Sequence, residues 1–551
     1  MERIFYNGRI ITMEKANAKQ ELAEAPEAVL VRDGLIAAVG SLEEALKLAG
    51  DEAIKCDLEG KCLMPGFIDA HSHFVMNGQM AAWADLSACE SFEDITSVLR
   101  AYIQENHITD TDMVLGFGYD HNFLREGAQP DKRVLDMVSS TIPIMILHIS
   151  AHLACANSAA LQLAGIDETT PNPQGGVIGR LEGGEPSGYV EEAGMNLLQQ
   201  AILPRVTVDY EKMLRKMQEI YIDNGITTVQ DGASTQSDIN ALLSMSASKA
   251  LKLDVVAYPL MSAGGVELMH QYGDAYRQYV NGLKIGGYKL VLDGSPQGRS
   301  AWMSEPYLGG EPDYCGYPWM KDEEVQAYVG QAVSENRQIL AHCNGDAASE
   351  QFIRAYEKAL TDQAAPTDRA ARGTEEDGLR PVMIHCQTVR NDQLDRMAKL
   401  HMIASIFIGH VWYWGDIHMK NFGSQRGNHI SPAKDALDRG VLINFHQDTP
   451  VTRPDMMHSI WCAVNRISRG GSRIGEEQAI PVYEALKAIT INGAYQYFEE
   501  DQKGSIAKGK RADLVILDRS PLETDPMELR NIKVLETIKD GETISRKRET
   551  V

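Results

Sequence analysis

Pro65-Gly66-Phe67-Ile68-Asp69-Ala70-His71-Ser72-His73 combines a short apolar run with two histidines one residue apart. On an extended strand, alternate side chains lie on the same face, so His71 and His73 are expected to point the same way. Two imidazoles on one face can bind one metal ion, and imidazole suits zinc and related borderline cations. A His-x-His pair also occurs as two ordinary polar residues at a strand end. The rest of the chain therefore has to decide between the two interpretations.

The composition is that of a globular protein, with 551 residues of which 44% are hydrophobic and 24% are charged. A formal net charge of −24 argues against a nucleic-acid partner, because such binding depends on clustered Lys and Arg. The sequence has no run near 18 apolar residues and no signal peptide at its start, so we expect a cytoplasmic protein without a membrane partner. Eight cysteines without a Cys-x-x-Cys spacing do not indicate a disulfide framework.

Apolar, β-branched runs predict eight buried strands, at 66–71, 226–230, 253–258, 288–292, 338–342, 382–385, 403–408 and 441–445. Segments with helical periodicity lie between several of them, such as 323–336 and 351–360. This alternation predicts an α/β fold of the (β/α)₈ TIM-barrel type, whose sites form at the C-terminal ends of the strands. An open doubly wound sheet is the competing architecture, but no Gly-x-Gly-x-x-Gly turn follows the first run.

Both ends of the chain contain several stretches with the sequence pattern of β-strands. Strand-like stretches at 28–31 and 35–39 flank an Asp-Gly turn, and similar stretches recur at 512–518 and 534–541. Because chain ends often lie close together, we predict one β-sandwich domain composed of residues 1–64 and 500–551. The barrel is then expected over residues 65–499.

The spacing between the first two predicted strands is unusually long. About 150 residues separate them, far more than one helix needs, which predicts an inserted subdomain at about 80–210. Because this insertion leaves the barrel at the C-terminal end of the first strand, it is placed to cover the barrel mouth. A polar stretch at 362–378 predicts an exposed loop.

Residues able to bind metal lie in, or directly after, five of the predicted strands: His71, His73, Lys289, His342, His385 and Asp448. In a closed barrel these positions converge on one axis and supply the donors that one or two divalent cations require. A protonated lysine would repel the cation. Lys289 becomes useful if burial lowers its pKa enough for carbon dioxide to convert it to an anionic carbamate. Its alternative role is an ion pair with a carboxylate such as Asp293.

The opening stretch resembles the first-strand signature of the amidohydrolase superfamily of metal-dependent hydrolases. Other segments resemble its amidohydrolase-3 branch, which includes N-substituted formamide deformylases. These segments are His152 with Asn157-Ser158-Ala159-Ala160-Leu161, Gly225-Ile226-Thr227-Thr228-Val229-Gln230-Asp231, Lys289 with Asp293-Gly294-Ser295, His342-Cys343-Asn344-Gly345-Asp346 and Gly504-Ser505-Ile506-Ala507-Lys508-Gly509-Lys510-Arg511-Ala512-Asp513-Leu514-Val515. The resemblance spans nearly the whole chain and is specific for fold and metal chemistry, not for substrate.

The resemblance implies a distorted (β/α)₈ barrel, a terminal β-sandwich and a zinc-type centre of one or two ions. By position, it implies metal ligands at His71, His73, His342 and His385, a carboxylated bridging lysine at Lys289, and an acid-base that also binds metal at Asp448. Two stretches depart from the pattern that we expect, namely His446-Gln447-Asp448-Thr449-Pro450 and Ile149-Ser150-Ala151-His152. The first departure leaves substrate shape open.

The function predicted from the resemblance is hydrolysis of a non-peptide C–N bond in a small amide, with N-substituted formamides or N-acyl compounds preferred. Asp448 would accept a proton from a metal-activated water and return it to the leaving nitrogen. His152 and His410 are catalytic candidates as donors or substrate contacts, unless they are ordinary packed histidines. Aromatic residues at 302 and 412–414 suggest an apolar mouth, or else pack the insertion against the barrel.

Two other functions remain open at this point. The same centre could deaminate a cyclic amidine or open a ring. The chain could also be a non-catalytic, metal-binding regulatory or scaffold protein, although a purely structural site has no need of the acid-base Asp448. The expected partner is a small-molecule substrate, and the resemblance allows a homodimer because family members are often dimers.

Overall fold

The computed structural model describes residues 2–80, 83–206, 210–363 and 378–547. The exposed loop predicted at 362–378 falls almost wholly outside these ranges. Within them, every helix is too short or too polar to cross a membrane.

Two parallel sheets form the centre of the fold. One has four strands in the order Leu283–Ile285, Asp254–Pro259, Ile226–Ser234 and Phe67–Ile68. The other has five strands in the order Gly287–Val291, Gln338–Cys343, Val382–His385, Ile403–Ile406 and Ile443–Phe445. Strands therefore occur at all eight predicted positions, and the three-residue strand Leu283–Ile285 is an addition that the sequence did not indicate.

The two parallel sheets meet along two edges, although their hydrogen-bond ladders do not close into one ring. At one edge a single parallel bridge joins Leu260 to Lys289. At the other, the buried Gln496 side chain donates to Ala70 O at 2.7 Å and accepts from Asn444 Nδ2 at 2.7 Å. A closed barrel is thus not confirmed by strand pairing, but an amide side chain links the first and last parallel strands.

Amphipathic helices cover the outside of these sheets. Helix Asp322–Ser334 shows why: Val325, Val329 and Ala332 recur three or four residues apart and are all buried. The helices between and after the parallel strands are Phe74–Met80, Tyr210–Asp223, Gln236–Ala247, Gly265–Tyr272, Asp322–Ser334, Asp346–Gln363, Asn391–Lys399, His410–Asn428, Ala433–Asp438, Met456–Asn465, Val482–Ala488 and Ile491–Gln496.

Residues from both chain ends share one sheet, which we call the terminal sheet. Its strands are, in order, Arg9–Ile10, Cys62–Pro65, Leu514–Leu517, Val534–Lys539 and Glu542–Arg546. A second, N-terminal sheet contains Leu35–Gly40, Ala28–Arg32, Glu2–Tyr6 and Ile54–Asp57, including the hairpin expected at the Asp-Gly turn. The pairing of the two ends agrees with a composite terminal unit, whereas its β-sandwich packing and its boundaries stay predictions.

The segment between the first two barrel-type strands contains its own mixed sheet, which we call the insertion sheet. Its six strands are, in order, Gly176–Arg180, Pro186–Glu192, Leu153–Ala156, Ile144–His148, Val114–Tyr119 and Ala84–Asp85. Helices Phe92–Glu105, Lys132–Asp136, Ser158–Ala164 and Ala193–Ile202 accompany them. Asn157 explains one local start, because its side chain accepts from Ala160 N and caps the helix that follows.

The Gln496 bridge predicts a measurable coupling between the first and last parallel strands. Gln496→Ala leaves the buried Asn444 amide without its acceptor, so we expect unfolding free energy to fall by about 1–3 kcal/mol. In a double-mutant cycle measured by denaturant unfolding, Asn444→Ala should lower the free energy of unfolding much less in the Gln496→Ala variant than in the parent. Fully additive effects of the two substitutions would contradict the bridge.

Candidate metal centre

Hydrogen bonds from the neighbouring strand fix both histidines that follow the first strand. Gln230 Nε2 donates to Ala70 O at 2.8 Å, so its Oε1 accepts from His71 Nδ1 at 2.6 Å. His73 Nδ1 lies 2.6 Å from Gly232 O, which can only accept. Both rings therefore carry their proton on Nδ1 and present the lone pair of Nε2. Burial, followed by the nearby Lys289, lowers the pKa of His71 to about 4, which keeps this ring neutral.

Asp448 faces these two rings. Its Oδ1 lies 3.3 Å from His71 Nε2 and 3.2 Å from His73 Nε2. This buried oxygen has no hydrogen-bond donor among the described residues. Lone pairs of two nitrogens and one oxygen therefore converge. A tetrahedral zinc ion with ligands at about 2.0–2.2 Å holds its donor atoms about 3.3 Å apart, so the two distances from Asp448 Oδ1 fit such an ion.

Lys289 lies beside this group, with Nζ 3.1 Å from His71 Nε2. Its side chain is fully buried, and burial lowers its pKa to about 7. Asp293, the alternative ion-pair partner, instead accepts hydrogen bonds from the backbone N–H groups of Trp302, Asn344 and Gly345. A neutral amine next to a ligand nitrogen is the state that can react with carbon dioxide.

A line of buried rings continues from the strand ends His342 and His385. His385 Nε2 lies 3.0 Å from His342 Nδ1, and His446 Nε2 lies 3.3 Å from His385 Nδ1. The Ser405 hydroxyl lies 3.0 Å from His446 Nδ1 at the far end of the line. Burial lowers the pKa of all three imidazoles well below the usual value, so the rings are neutral ligand candidates. His446 was not among the residues expected to contribute.

The ligand group of His71, His73 and Asp448 and the line of His342, His385 and His446 lie beside each other as two separate groups. The His71 and His385 ring centroids are 5.8 Å apart, and His446 lies 5.2 Å from each of them. His385 and Asp448 both have positive φ, at 75° and 55°, a region that residues other than glycine seldom adopt. Such backbone conformations are often kept where they aim a side chain into a site.

His152 of the insertion lies against the strand end that carries His342. Its ring centroid is 5.2 Å from that of His342, and its Nδ1 lies 2.8 Å from Glu192 Oε2. Burial lowers the pKa of His152, but the adjacent Glu192 carboxylate outweighs this and raises it overall. Glu192 is itself buried and also accepts from Trp319 Nε1 and Ser300 Oγ. Glu192 carries no motif that marked it in the sequence.

His410 lies at the start of helix His410–Asn428, with its ring 6.1 Å from that of His385. Its buried Nδ1 has no hydrogen-bond partner among the described residues. The neighbouring Trp414 is fully buried, and Trp412 packs edge-to-face on Trp461. Trp412 thus packs against helix Met456–Asn465, which lies outside the insertion, and the apolar mouth and the packing of the insertion against the barrel both stay predictions.

The sequence model of the amidohydrolase family matches residues 56–545. The chain belongs to the amidohydrolase family. The match begins within the N-terminal sheet and ends within the last strand of the terminal sheet, so it covers both parallel sheets and the insertion. The family membership predicted from the His71-Ser72-His73 stretch is thereby confirmed.

Similar proteins extend along nearly all of this amidohydrolase. It is 27% identical to the putative amidohydrolase YtcJ of Bacillus subtilis (strain 168), over 99% of this chain and 100% of that protein. It is 28% identical to an N-substituted formamide deformylase of Arthrobacter pascens, over 97% of this chain and 96% of that protein. The crystal structure of an uncharacterized metal-dependent hydrolase from Pyrococcus horikoshii OT3 matches with a TM-score of 0.74 and 24% identity. The match covers 96% of this chain and 99% of that chain. The amidohydrolase therefore shares that α/β fold.

Replacing Gly232 with alanine is expected to weaken metal binding. A β-carbon there would lie 2.6 Å from His71 Cε1 and 2.9 Å from His71 Nδ1, so the ring would have to leave its present position beside Asp448. We expect metal affinity to fall by about 10–100-fold, as when a partner that orients a ligand is lost. Chelator competition measures this loss. Gly183→Ala is the matched control because its β-carbon meets nothing within 4 Å. Equal affinities in the two variants would count against the assignment of His71.

Proposed function

We propose that this amidohydrolase is a metal-dependent hydrolase that cleaves a non-peptide C–N bond in a small amide. The observation that carries the proposal is Asp448 Oδ1, which is buried between the Nε2 atoms of His71 and His73 and has no hydrogen-bond donor among the described residues. N-substituted formamides and N-acyl compounds are the preferred substrates. A relative named N-substituted formamide deformylase, 28% identical over 97% of the chain, supports the formamide class.

The donor set suits a zinc-type divalent cation. His71, His73 and Asp448 would hold one ion, and His342 with His385 would hold a second. A carbamate on Lys289 would supply an anionic oxygen between them. When bound, such ions acidify water and polarise the carbonyl of an amide.

The protein's own side chains then supply proton transfer and orientation. Asp448 accepts the proton of the attacking water and returns it to the leaving nitrogen, as general acid-base catalysis requires. Because Oδ1 would hold the metal, the second carboxylate oxygen, Oδ2, is the one that takes the proton. His152, whose pKa the adjacent Glu192 carboxylate raises, donates to the oxygen that gains charge in the transition state. His410 contributes a further substrate contact through Nδ1, which has no hydrogen-bond partner in the part of the chain that the structure describes.

The architecture we infer around this centre is a (β/α)₈ barrel over residues 65–499, assembled from the two parallel sheets. The Leu260–Lys289 bridge and the Gln496 side chain support closure at the two edges. The insertion at about 80–210 brings His152 over the strand ends. Residues 1–64 and 500–551 form the composite β-sandwich. A homodimer in the cytoplasm, without nucleic acid or membrane partners, completes the proposal.

Asp448→Asn is expected to abolish most hydrolysis, because an amide cannot accept the proton. The loss should be about 10²–10⁴-fold in kcat, the range typical of a missing acid-base. Hydrolysis of N-substituted formamides and N-acyl amines, followed by release of carboxylate and amine, measures it. Asp501→Asn at an exposed position is the control. Metal content is measured in parallel, and near-parental activity of Asp448→Asn would refute the assigned role.

The reaction products distinguish the proposed hydrolysis from a deaminase of the same family. Equal amounts of carboxylate and amine are expected from the amide panel, whereas a cyclic amidine deaminase releases ammonia. Ring opening of a cyclic amide would give one product that carries both groups. Coupled assays for ammonia and formate, together with mass spectrometry of the products, separate these outcomes. Ammonia as the main product would overturn the substrate class proposed above.

Lys289 is expected to carry one added carbon dioxide when the protein is handled without acid. Lys503 is the internal control because it is equally buried, yet Asp254 and Glu499 raise its pKa against the effect of burial. A protonated amine does not form a carbamate, so Lys503 should stay unmodified. Native mass spectrometry of the whole chain, with Lys289→Arg and Lys503→Arg as variants, reads out the added mass. Retention of the added carbon dioxide mass in Lys289→Arg, or its absence from the parent, would show that Lys289 is not carboxylated.

A further inference from the structure

A second set of potential metal ligands lies in the insertion sheet, away from the strand ends described above. Strands Val114–Tyr119 and Ile144–His148 run parallel, and His148 pairs with Tyr119. Asp120 and His121 follow directly after the first strand, and His148 ends the second. Parallel neighbours bring their carboxyl ends to the same edge, so the three side chains meet there. We call Asp120, His121 and His148 the insertion cluster.

The three donor atoms of the insertion cluster form a compact triangle. His121 Nδ1 lies 3.2 Å from His148 Nε2, His148 Nε2 lies 3.3 Å from Asp120 Oδ1, and His121 Nδ1 lies 3.8 Å from Asp120 Oδ1. In a tetrahedral zinc site, ligand atoms about 2.0–2.2 Å from the ion are about 3.3 Å from one another. The triangle therefore has the dimensions of one face of such a site, with the fourth position free.

Binding an ion would require the His148 ring to move its proton. The backbone N–H of Ser150 donates to His148 Nδ1 at 3.1 Å, which places the ring proton on Nε2, between Asp120 Oδ1 and His121 Nδ1. A cation at that point would displace this proton to Nδ1, from which it can be donated to Ser150 Oγ at 2.9 Å. Nε2 would then present its lone pair to the ion.

The surroundings hold two of the three ligands in place. Besides the Ser150 contact to His148, the indole Nε1 of Trp414 donates to Asp120 Oδ2 at 2.9 Å. Metal ligands in proteins are usually oriented by such contacts to their second polar atom. Asp120 Oδ1 also accepts from the backbone and side-chain nitrogens of Asn122, both at 2.9 Å. The Asp120 and His148 side chains are 5% and 0% exposed, whereas His121 is 19% exposed, which leaves a route for an ion from solvent.

We propose that Asp120, His121 and His148 form a separate binding site for a borderline divalent cation of the zinc type. This site is independent of the centre at His71, His73 and Asp448. Through Asp120 and its bond from Trp414, the ion would fasten the insertion sheet to helix His410–Asn428. It would therefore order the part of the chain that also carries His152.

Metal content of the full-length protein tests this site. The parent, His148→Gln and Asp120→Asn are purified without chelators, loaded with zinc, desalted and analysed for metal per chain. We expect both variants to contain about one ion fewer than the parent, since each lacks one of three protein ligands. His401→Gln, at an exposed position, should match the parent. Equal metal content in the parent and in both folded variants would overturn the proposal.

Crystals of the zinc-loaded parent give a second answer that does not depend on any variant folding. Diffraction recorded at the zinc absorption edge locates each ion by its anomalous signal. A peak between Asp120, His121 and His148 supports the proposal, and no peak at that position overturns it. A peak at His71, His73 and Asp448 is scored separately, so failure of either site leaves the other result intact.

Discussion

An excess of lone pairs at one buried point is the constraint around which this structure is arranged. His71 and His73 both donate from Nδ1 to fixed acceptors, so their Nε2 atoms and Asp448 Oδ1 present lone pairs to one another. Among the described residues, Lys289 Nζ, 3.1 Å from His71 Nε2, is the donor that these atoms have. Burial opposes the usual remedy, because protonating His71 would place a charge in a poorly solvated position. A divalent cation relieves the repulsion. The neighbouring Gly232 leaves the space in which the His71 ring sits.

Much of this arrangement could be predicted from sequence because parallel strands impose simple rules. Apolar runs located all eight strands, and a residue at the carboxyl end of such a strand lies at the face where sites of this fold form. The strand Leu283–Ile285 was not predicted because three residues are too few to show an alternation of apolar and polar residues. His446 escaped for another reason. Its contact with His385 depends on the stagger of two strands, which a single sequence does not encode locally.

The insertion was predicted only as a segment of the right length. Its internal pairing, which brings His148 beside Asp120, links strands about 30 residues apart and has no repeat to reveal it. The departure at Ile149-Ser150-Ala151-His152 now has a physical reading, since the Ser150 hydroxyl contacts His148 and its neighbour His152 lies against His342. Glu192 was equally hidden, because an isolated glutamate is most often an exposed residue.

The terminal sheet has a consequence for how the chain is made. Strand Cys62–Pro65 immediately precedes the first parallel strand, and its partner Leu514–Leu517 lies near the other end of the sequence. On the ribosome, the early strand emerges first and keeps one edge unpaired until residues 514–517, about 450 positions later, have been synthesised. Exposed strand edges attract other chains. Biosynthesis of this protein therefore contains a long interval of vulnerability to aggregation, which ends when strand Leu514–Leu517 pairs with Cys62–Pro65.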